Sequence, residues 1–441
     1  MAASVFDSTL YAQLFSTGDT GRLFTDSAAV RAMLLVEGAL AKVQGAQGVI
    51  PELSAAAIHR ASLEIAVDPG AIAASTGQNG VAVPGLVAAF RAEMNAPEHA
   101  QYVHWGATSQ DIIDTGLMLR LRQALRLAEA DVRQIIGALG AQAGAHAHLP
   151  MPARTYNQHA TPTTWGAVLA GFGAPLLDVY ASLDALRGRS LWVSLSGASG
   201  TASALGDDPD ATRAGLAEAL GLFDPQRSWH TDRTPVLRIV DWQGQMMAAL
   251  AHMGHTLIGL SGSDTQEVSL GTGGGSSTMP QKQNPVAPSA MVALGHQFTG
   301  LRASLQTAAA HQHQRDGAAW FTEWMVVPQL ALSLAGALSH AKALAADLAP
   351  RPVQMLQNLD CNLGLIHAEA LSFALADLMS RPEAQRVTKA LCLDALAKRT
   401  PLETLARADY PQLGADVFAP GVGTGTAARQ ALQFAARAKA L

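Results

Sequence analysis

Gly271-Thr-Gly-Gly-Gly-Ser-Ser-Thr-Met-Pro-Gln-Lys-Gln-Asn-Pro285 separates two long apolar stretches of helical period. Four of its first five residues are glycine, so the backbone there can move and reach φ > 0. Ser276 and Ser277 stand at the edge of that segment. Lys282 and Asn284 set a cation and an amide two residues apart, and Pro280 and Pro285 restrict the chain around them. A Gly/Ser linker is the plainer reading. A linker, however, has no reason to hold Met, Pro, Lys, Asn and Pro at fixed offsets between two helices. The segment reads as a functional loop carrying a candidate nucleophile or base, an anion-binding group and a hinge.

Upstream of the loop, Pro235 stands at a plausible first helical position. It opens a pattern through Val236, Ile239, Val240, Met246, Met247, Leu250, Met253 and Leu257. Downstream, residues 286–314 and 322–348 continue the same period. Earlier still, Leu117, Leu121, Leu125, Ala128, Val132, Ile135 and Leu139 make one long helix, and residues 163–188 another, with a kink expected at Pro175. Pro350 and Pro352 end the pattern, and shorter helices such as 365–379 follow. Near the N-terminus, Asp26 is the candidate cap of a helix through Val30, Leu34, Leu35, Ala39 and Val43. Residues 76–80 read as a loop, in which Asn79 satisfies a turn. β signals are scarce. These patterns predict an antiparallel helix bundle with the glycine-rich loop at one end.

Composition narrows the class. The 441 residues suggest two or three domains. With 49% hydrophobic and 15% charged residues, the chain favours large buried surfaces, subunit interfaces included. A net charge of −5 gives no support to a nucleic-acid partner. Cys361 and Cys392 match no disulfide framework or metal spacing and read as small buried residues. No signal peptide opens the sequence, and no run reads as long and apolar enough to span a bilayer, so no membrane partner and a cytoplasmic enzyme are expected. No zinc or calcium ligand pattern and no phosphate loop after a strand is visible.

The loop resembles the G-S-S-x-M-P-x-K-x-N-P signature of the fumarase/aspartase superfamily. That resemblance implies an all-α, three-domain fold with a central long-helix bundle, here 1–111, 112–350 and 351–441. It implies a homotetramer whose active sites are shared between subunits and which needs no cofactor. It also makes Ser276 or Ser277 the proton carrier at the carbon beside a carboxylate, with Lys282 and Asn284 on the substrate.

Two more stretches extend the resemblance. His104-Trp-Gly-Ala-Thr-Ser-Gln-Asp111 is similar to the superfamily's first signature region, whose Thr-Ser pair, here Thr108 and Ser109, binds a substrate carboxylate. Read from the residues alone, Thr108, Ser109 and Asp111 are ordinary helix caps. His104 either contacts substrate or orients the loop. Arg154-Thr-Tyr-Asn-Gln-His-Ala-Thr-Pro162 resembles the second region, R-T-H-x-Q-x-A-x-P, which aligns Thr155 and Gln158 with substrate-facing groups. The usual histidine is replaced by Tyr156, and His159 reads as structural. His230 and Arg233 are candidates for substrate contact or for an interface.

That replacement bears on the reaction. In relatives the missing histidine handles the proton of an alcohol or amine. A carboxylate nucleophile, with a reference pKa of about 4, is already ionised at neutral pH and needs no such help. Tyr156 therefore favours intramolecular addition of a carboxylate to an alkene, the chemistry of a lactone-forming cycloisomerase branch of the superfamily. That branch also lacks the acidic residue five positions after Asn284, which is Ser289 here. His313-Gln-Arg315 with Trp320-Phe-Thr-Glu-Trp324 looks like its H-x-R…W-x-x-E-W segment, which places Arg315 on the polycarboxylate substrate. The branch would carry His and Arg where Gln281 and Gln283 stand. The competing readings are an adenylosuccinate- or argininosuccinate-type lyase and a catalytically idle structural homologue.

Overall fold

The computed structural model describes residues 4–271, 274–275, 279 and 282–441. The described chain is mostly helical, as expected, and forms two compact units. One comprises residues 1–130, 179–248 and 293–339; the other comprises 131–178, 249–292 and 340–441.

In the first unit, the helix Asp26–Ala46 packs on Glu52–Glu64. Val30, Leu34, Leu40 and Ile58 are buried in this part of the unit. The two helices touch at Gly38, where an added Cβ would lie 1.8 Å from Ser62 Oγ, so only glycine permits this approach. The cap of Asp26–Ala46 is Thr25 rather than Asp26. Thr25 has extended backbone, and its Oγ1 accepts the Ala28 N–H at 3.2 Å, which leaves Asp26 as the first helical residue. Residues 76–79 are not a loop but the last turn of Pro69–Asn79, which ends at Gly80 with φ 70°. There Asn79 donates to the Ser75 carbonyl at 2.9 Å.

The long helices follow the apolar spacing, with displaced ends. Ser109–Ala145 runs 37 residues and Thr234–Leu260 runs 27. Val286–Ala308 stops short of the expected 314, and Gly317–Asp347 begins before the expected 322. The predicted helix over 163–188 is divided. Its start belongs to a strand, Gln158–Thr164; Trp165–Ala181 then includes Pro175, and the break comes at Ser182 before Leu183–Ser190. Residues 365–379 begin in a 3₁₀ turn, so the α-helix there is Ala368–Ala376.

The second unit also holds an unexpected β-hairpin, Pro150–Thr155 against Gln158–Thr164, with Thr155 opposite Gln158. Its C-terminal helices close over a separate apolar cluster that includes Leu371, Leu391, Leu402 and Phe418. Neither cysteine is fully buried as expected: Cys361 is exposed and Cys392 half-buried. By length and composition, Trp165–Ser190 and Gly317–Asp347 would each suffice to cross a bilayer, contrary to expectation. The first is broken at Ser182 and carries Asp184, Arg187 and Arg189. The most apolar stretch of the second is 61% buried within the protein. The burial of the second is that of a core helix.

Candidate active site

The first signature region lies in the first unit, on the turn that enters Ser109–Ala145. His104 and Gly106 both have positive φ, 66° and 71°. A Cβ on Gly106 would fall 2.2 Å from the Ala204 carbonyl oxygen, so glycine is required there. His104 Nδ1 donates to Glu37 Oε1 at 2.7 Å, and Glu37 is buried in the neighbouring helix. Burial opposes the His104 imidazolium, but the hydrogen bond and charge of Glu37, helped by Asp111, outweigh it and raise its pKa. Within the chain His104 therefore anchors the turn.

Asp111 is the hub of this region and is completely buried. Its Oδ2 accepts the backbone N–H of Thr108 and of Gly197, both at 3.0 Å. Its Oδ1 accepts Ser196 N at 2.9 Å, Ser194 Oγ at 3.2 Å and His230 Nε2 at 2.8 Å. One carboxylate thus ties the helix start to the 194–197 segment and to His230. Arg315 completes the group. Its Nε donates to Gln110 Oε1 at 2.8 Å, and its Nη2 donates to Thr108 Oγ1 at 3.3 Å and to the Ala198 carbonyl at 3.2 Å. A helix start, two hydroxyls (Thr108 and half-buried Ser109) and an exposed guanidinium can hold a carboxylate.

Beneath this surface lies a buried charge network. Arg233 binds Asp114 at 2.7 and 3.1 Å and Glu323 at 2.7 Å through each of two nitrogens. Trp320 Nε1 also donates to Asp114, at 3.1 Å. Burial alone would lower the Arg233 pKa and raise that of Glu323, but the charges of Asp114 and Glu323 on Arg233, and of Arg233 on Glu323, reverse both shifts. His230 and Arg233 are therefore interior supports, not surface groups awaiting a partner or substrate. The sequence reading missed Glu37, Asp114 and Glu323 as functional supports. A signal existed for one of them: Asp114 stands three residues after the candidate cap Asp111, on the same face at the start of the helix.

The other candidate residues lie in the second unit. Thr155 and Gln158 flank a two-residue hairpin turn, Tyr156-Asn157, whose φ angles are 52° and 59°. Both angles are left-handed, the requirement of a tight turn matched to strand twist. Thr155, Tyr156 and Gln158 are all exposed. The hairpin is held from behind by Arg154, which makes a two-pronged ion pair with buried Glu267 at 2.8 and 2.6 Å. Asn358 Nδ2 donates to the same carboxylate at 2.8 Å. His159, at 3.6 Å from Cys361 Sγ, has its pKa lowered mainly by burial, with Arg154 adding to the effect.

The glycine-rich loop pairs with itself: Gly274–Gly275 lies antiparallel to Gln283–Asn284. Lys282 is exposed, and its N–H closes a turn onto the Met279 carbonyl at 3.0 Å. Ser276 and Ser277 lie outside the described residues. Ser289 Oγ donates to the Pro285 carbonyl at 2.7 Å in the first turn of the following helix. Among the described residues no group of three or more His, Cys, Asp or Glu side chains is placed to hold a metal ion.

Residues 18–300 match a family described as lyase. A 3-carboxy-cis,cis-muconate cycloisomerase of Pseudomonas aeruginosa is 36% identical over 401 residues, covering 90% of this chain and 87% of that one. The crystal structure of the 3-carboxy-cis,cis-muconate lactonizing enzyme of Pseudomonas putida superposes with a TM-score of 0.92 at 32% identity, over 98% of this chain and 99% of that one. The β-carboxy-cis,cis-muconate cycloisomerase of Acinetobacter calcoaceticus gives 0.90 at 30% identity, over 97% and 99%.

Proposed function

The chain belongs to the fumarase/aspartase superfamily of lyases, and from that premise we propose that it is a cycloisomerase closing 3-carboxy-cis,cis-muconate to a carboxymuconolactone. This reaction belongs to the protocatechuate branch of the β-ketoadipate pathway. The observation that carries the reading is Tyr156. It occupies, on an exposed turn, the position where superfamily members place the histidine that handles a leaving-group proton. A carboxylate nucleophile needs no such residue.

Thr108, Ser109 and Arg315, with Thr155, Gln158, Lys282 and Asn284, hold the substrate's carboxylates. Arg315 and Lys282 supply positive charge that Gln281 and Gln283 do not. His104 acts through the turn that it anchors. One substrate carboxylate forms a C–O bond to the conjugated alkene. The π electrons shift toward the neighbouring carboxylate as an aci-carboxylate, stabilised by these preorganised donors. Ser276 or Ser277 then delivers a proton to the α-carbon. Every substrate atom is retained, the serine regains its proton from solvent, and the tethered reactants need no cofactor.

The complete site takes its three regions from three subunits of a homotetramer in the cytoplasm. The exposed hairpin tip of Thr155, Tyr156 and Gln158 supports this assembly. The direct test is to add purified protein to 3-carboxy-cis,cis-muconate and follow the diene absorbance, with the product identified by NMR. Loss of the chromophore with lactone formation supports the proposal. Fumarate released from a succinyl adduct, with the muconate untouched, would make the protein a lyase. Turnover of neither would make it an idle homologue.

A further inference from the structure

A cavity of about 400 Å³ opens in the first unit beside the Ser109–Ala145 helix, a size usual for small-molecule sites. Phe24, Ala29, Met33, Leu117, Val327 and Pro328 give it apolar walls. Arg120 also lines it, eleven residues after Ser109, or about 16 Å along the helix at 1.5 Å per residue. Among the described residues Arg120 makes no ion pair. Its guanidinium lies over the Phe24 ring, 5.7 Å from the centroid, and its buried Nε has no hydrogen-bond partner. Burial, uncompensated by any neighbouring charge, pushes its pKa down to about 10. Trp324, in the same wall, has a buried indole N–H with no acceptor.

Two carboxylates also border the cavity. Glu323 already gives both its oxygens to Arg233, at 2.7 Å each. Asp26 is exposed in the first turn of its helix. The cavity therefore presents one cation and one indole donor, both lacking an acceptor, inside apolar walls. A buried charge in that state is costly until it is paired. The complement is one carboxylate on an apolar body. Further negative charge would meet Asp26 and Glu323, which sets this ligand class apart from the tricarboxylate of the proposed reaction.

We propose that this cavity is a second binding site, for a small monocarboxylate with an apolar, ring-sized body. The test is isothermal titration of the intact protein with benzoate and with its neutral isostere benzamide. Benzoate should bind saturably and benzamide at least about tenfold more weakly, the scale of a charge-assisted hydrogen bond. Arg120→Gln should weaken benzoate by about 10- to 100-fold. Lys282→Gln, which alters the proposed catalytic loop, should leave benzoate affinity unchanged. The readout is binding, so the outcome stands apart from whether the protein turns over muconate. Absence of saturable benzoate binding, equal affinity for benzamide, or loss of binding in Lys282→Gln rather than Arg120→Gln would overturn the proposal. So would sedimentation showing that Arg120→Gln dissociates the oligomer, because a partner subunit would then fill the cavity.

Discussion

Replacing Asp111 by Asn tests whether one buried carboxylate organises the first signature region. The swap preserves shape and removes charge and one acceptor. Asp111 Oδ1 receives three donors and Oδ2 receives two. The least costly placement puts the new amide nitrogen where Oδ2 was. It then faces the N–H groups of Thr108 and Gly197, and both donors are left buried without an acceptor. At roughly 1–3 kcal/mol for each unmet buried group, the loss is about 2–6 kcal/mol. Because Thr108 is one of the two displaced, kcat/KM should fall along with stability. Equilibrium urea unfolding at fixed protein concentration gives the first quantity and steady-state turnover the second. A stability loss below about 1 kcal/mol with kcat/KM unchanged would refute the hub role.

Other expected outcomes follow from the same contacts. Arg154→Ala leaves Glu267 buried and unpaired and should destabilise the fold by about 3–5 kcal/mol in urea unfolding. The pKa of His104 is raised in the folded state, so its contribution to stability is complete below the unfolded value near 6.5 and is lost as pH rises through the raised value. Stability should therefore decline with pH above about 6.5, and His104→Gln should flatten that part of the profile measured by urea midpoint. Inactive Ser276→Ala and Gln158→Ala chains, mixed and refolded together, should recover partial turnover if subunits share sites. No recovery from well-mixed oligomers would count against sharing.

The long helices were legible because their apolar residues recur at helical spacing over many turns, as from Leu117 to Leu139. What escaped the reading was local. The hairpin over 150–164 holds three prolines and turns through Tyr156-Asn157 rather than a glycine pair, so it carries neither the alternation nor the turn signal of a strand pair. Residues 76–79 looked like a loop because Gly77 and Asn79 are poor helix formers, yet the Asn79 side-chain bond and the Gly80 cap close the helix. Pro175 suggested a kink, but the interruption came at Ser182. At the site, the resemblance pointed to Thr108, Ser109 and the loop. It did not show that Glu37 would anchor His104 or that Glu323 would meet Arg233. Those pairings join residues 67 and 90 positions apart, and only the tertiary fold brings them together.

Turnover of Tyr156→Phe on 3-carboxy-cis,cis-muconate bears most directly on the claim that a carboxylate is the nucleophile. Removing one hydroxyl costs at most one hydrogen bond, roughly 0.5–1.5 kcal/mol, so kcat should fall by no more than about tenfold. A fall of about 10²-fold or more with substrate binding intact would mark Tyr156 as a proton carrier. The reaction would then need proton management at the heteroatom, and a lyase would replace the lactone-forming assignment.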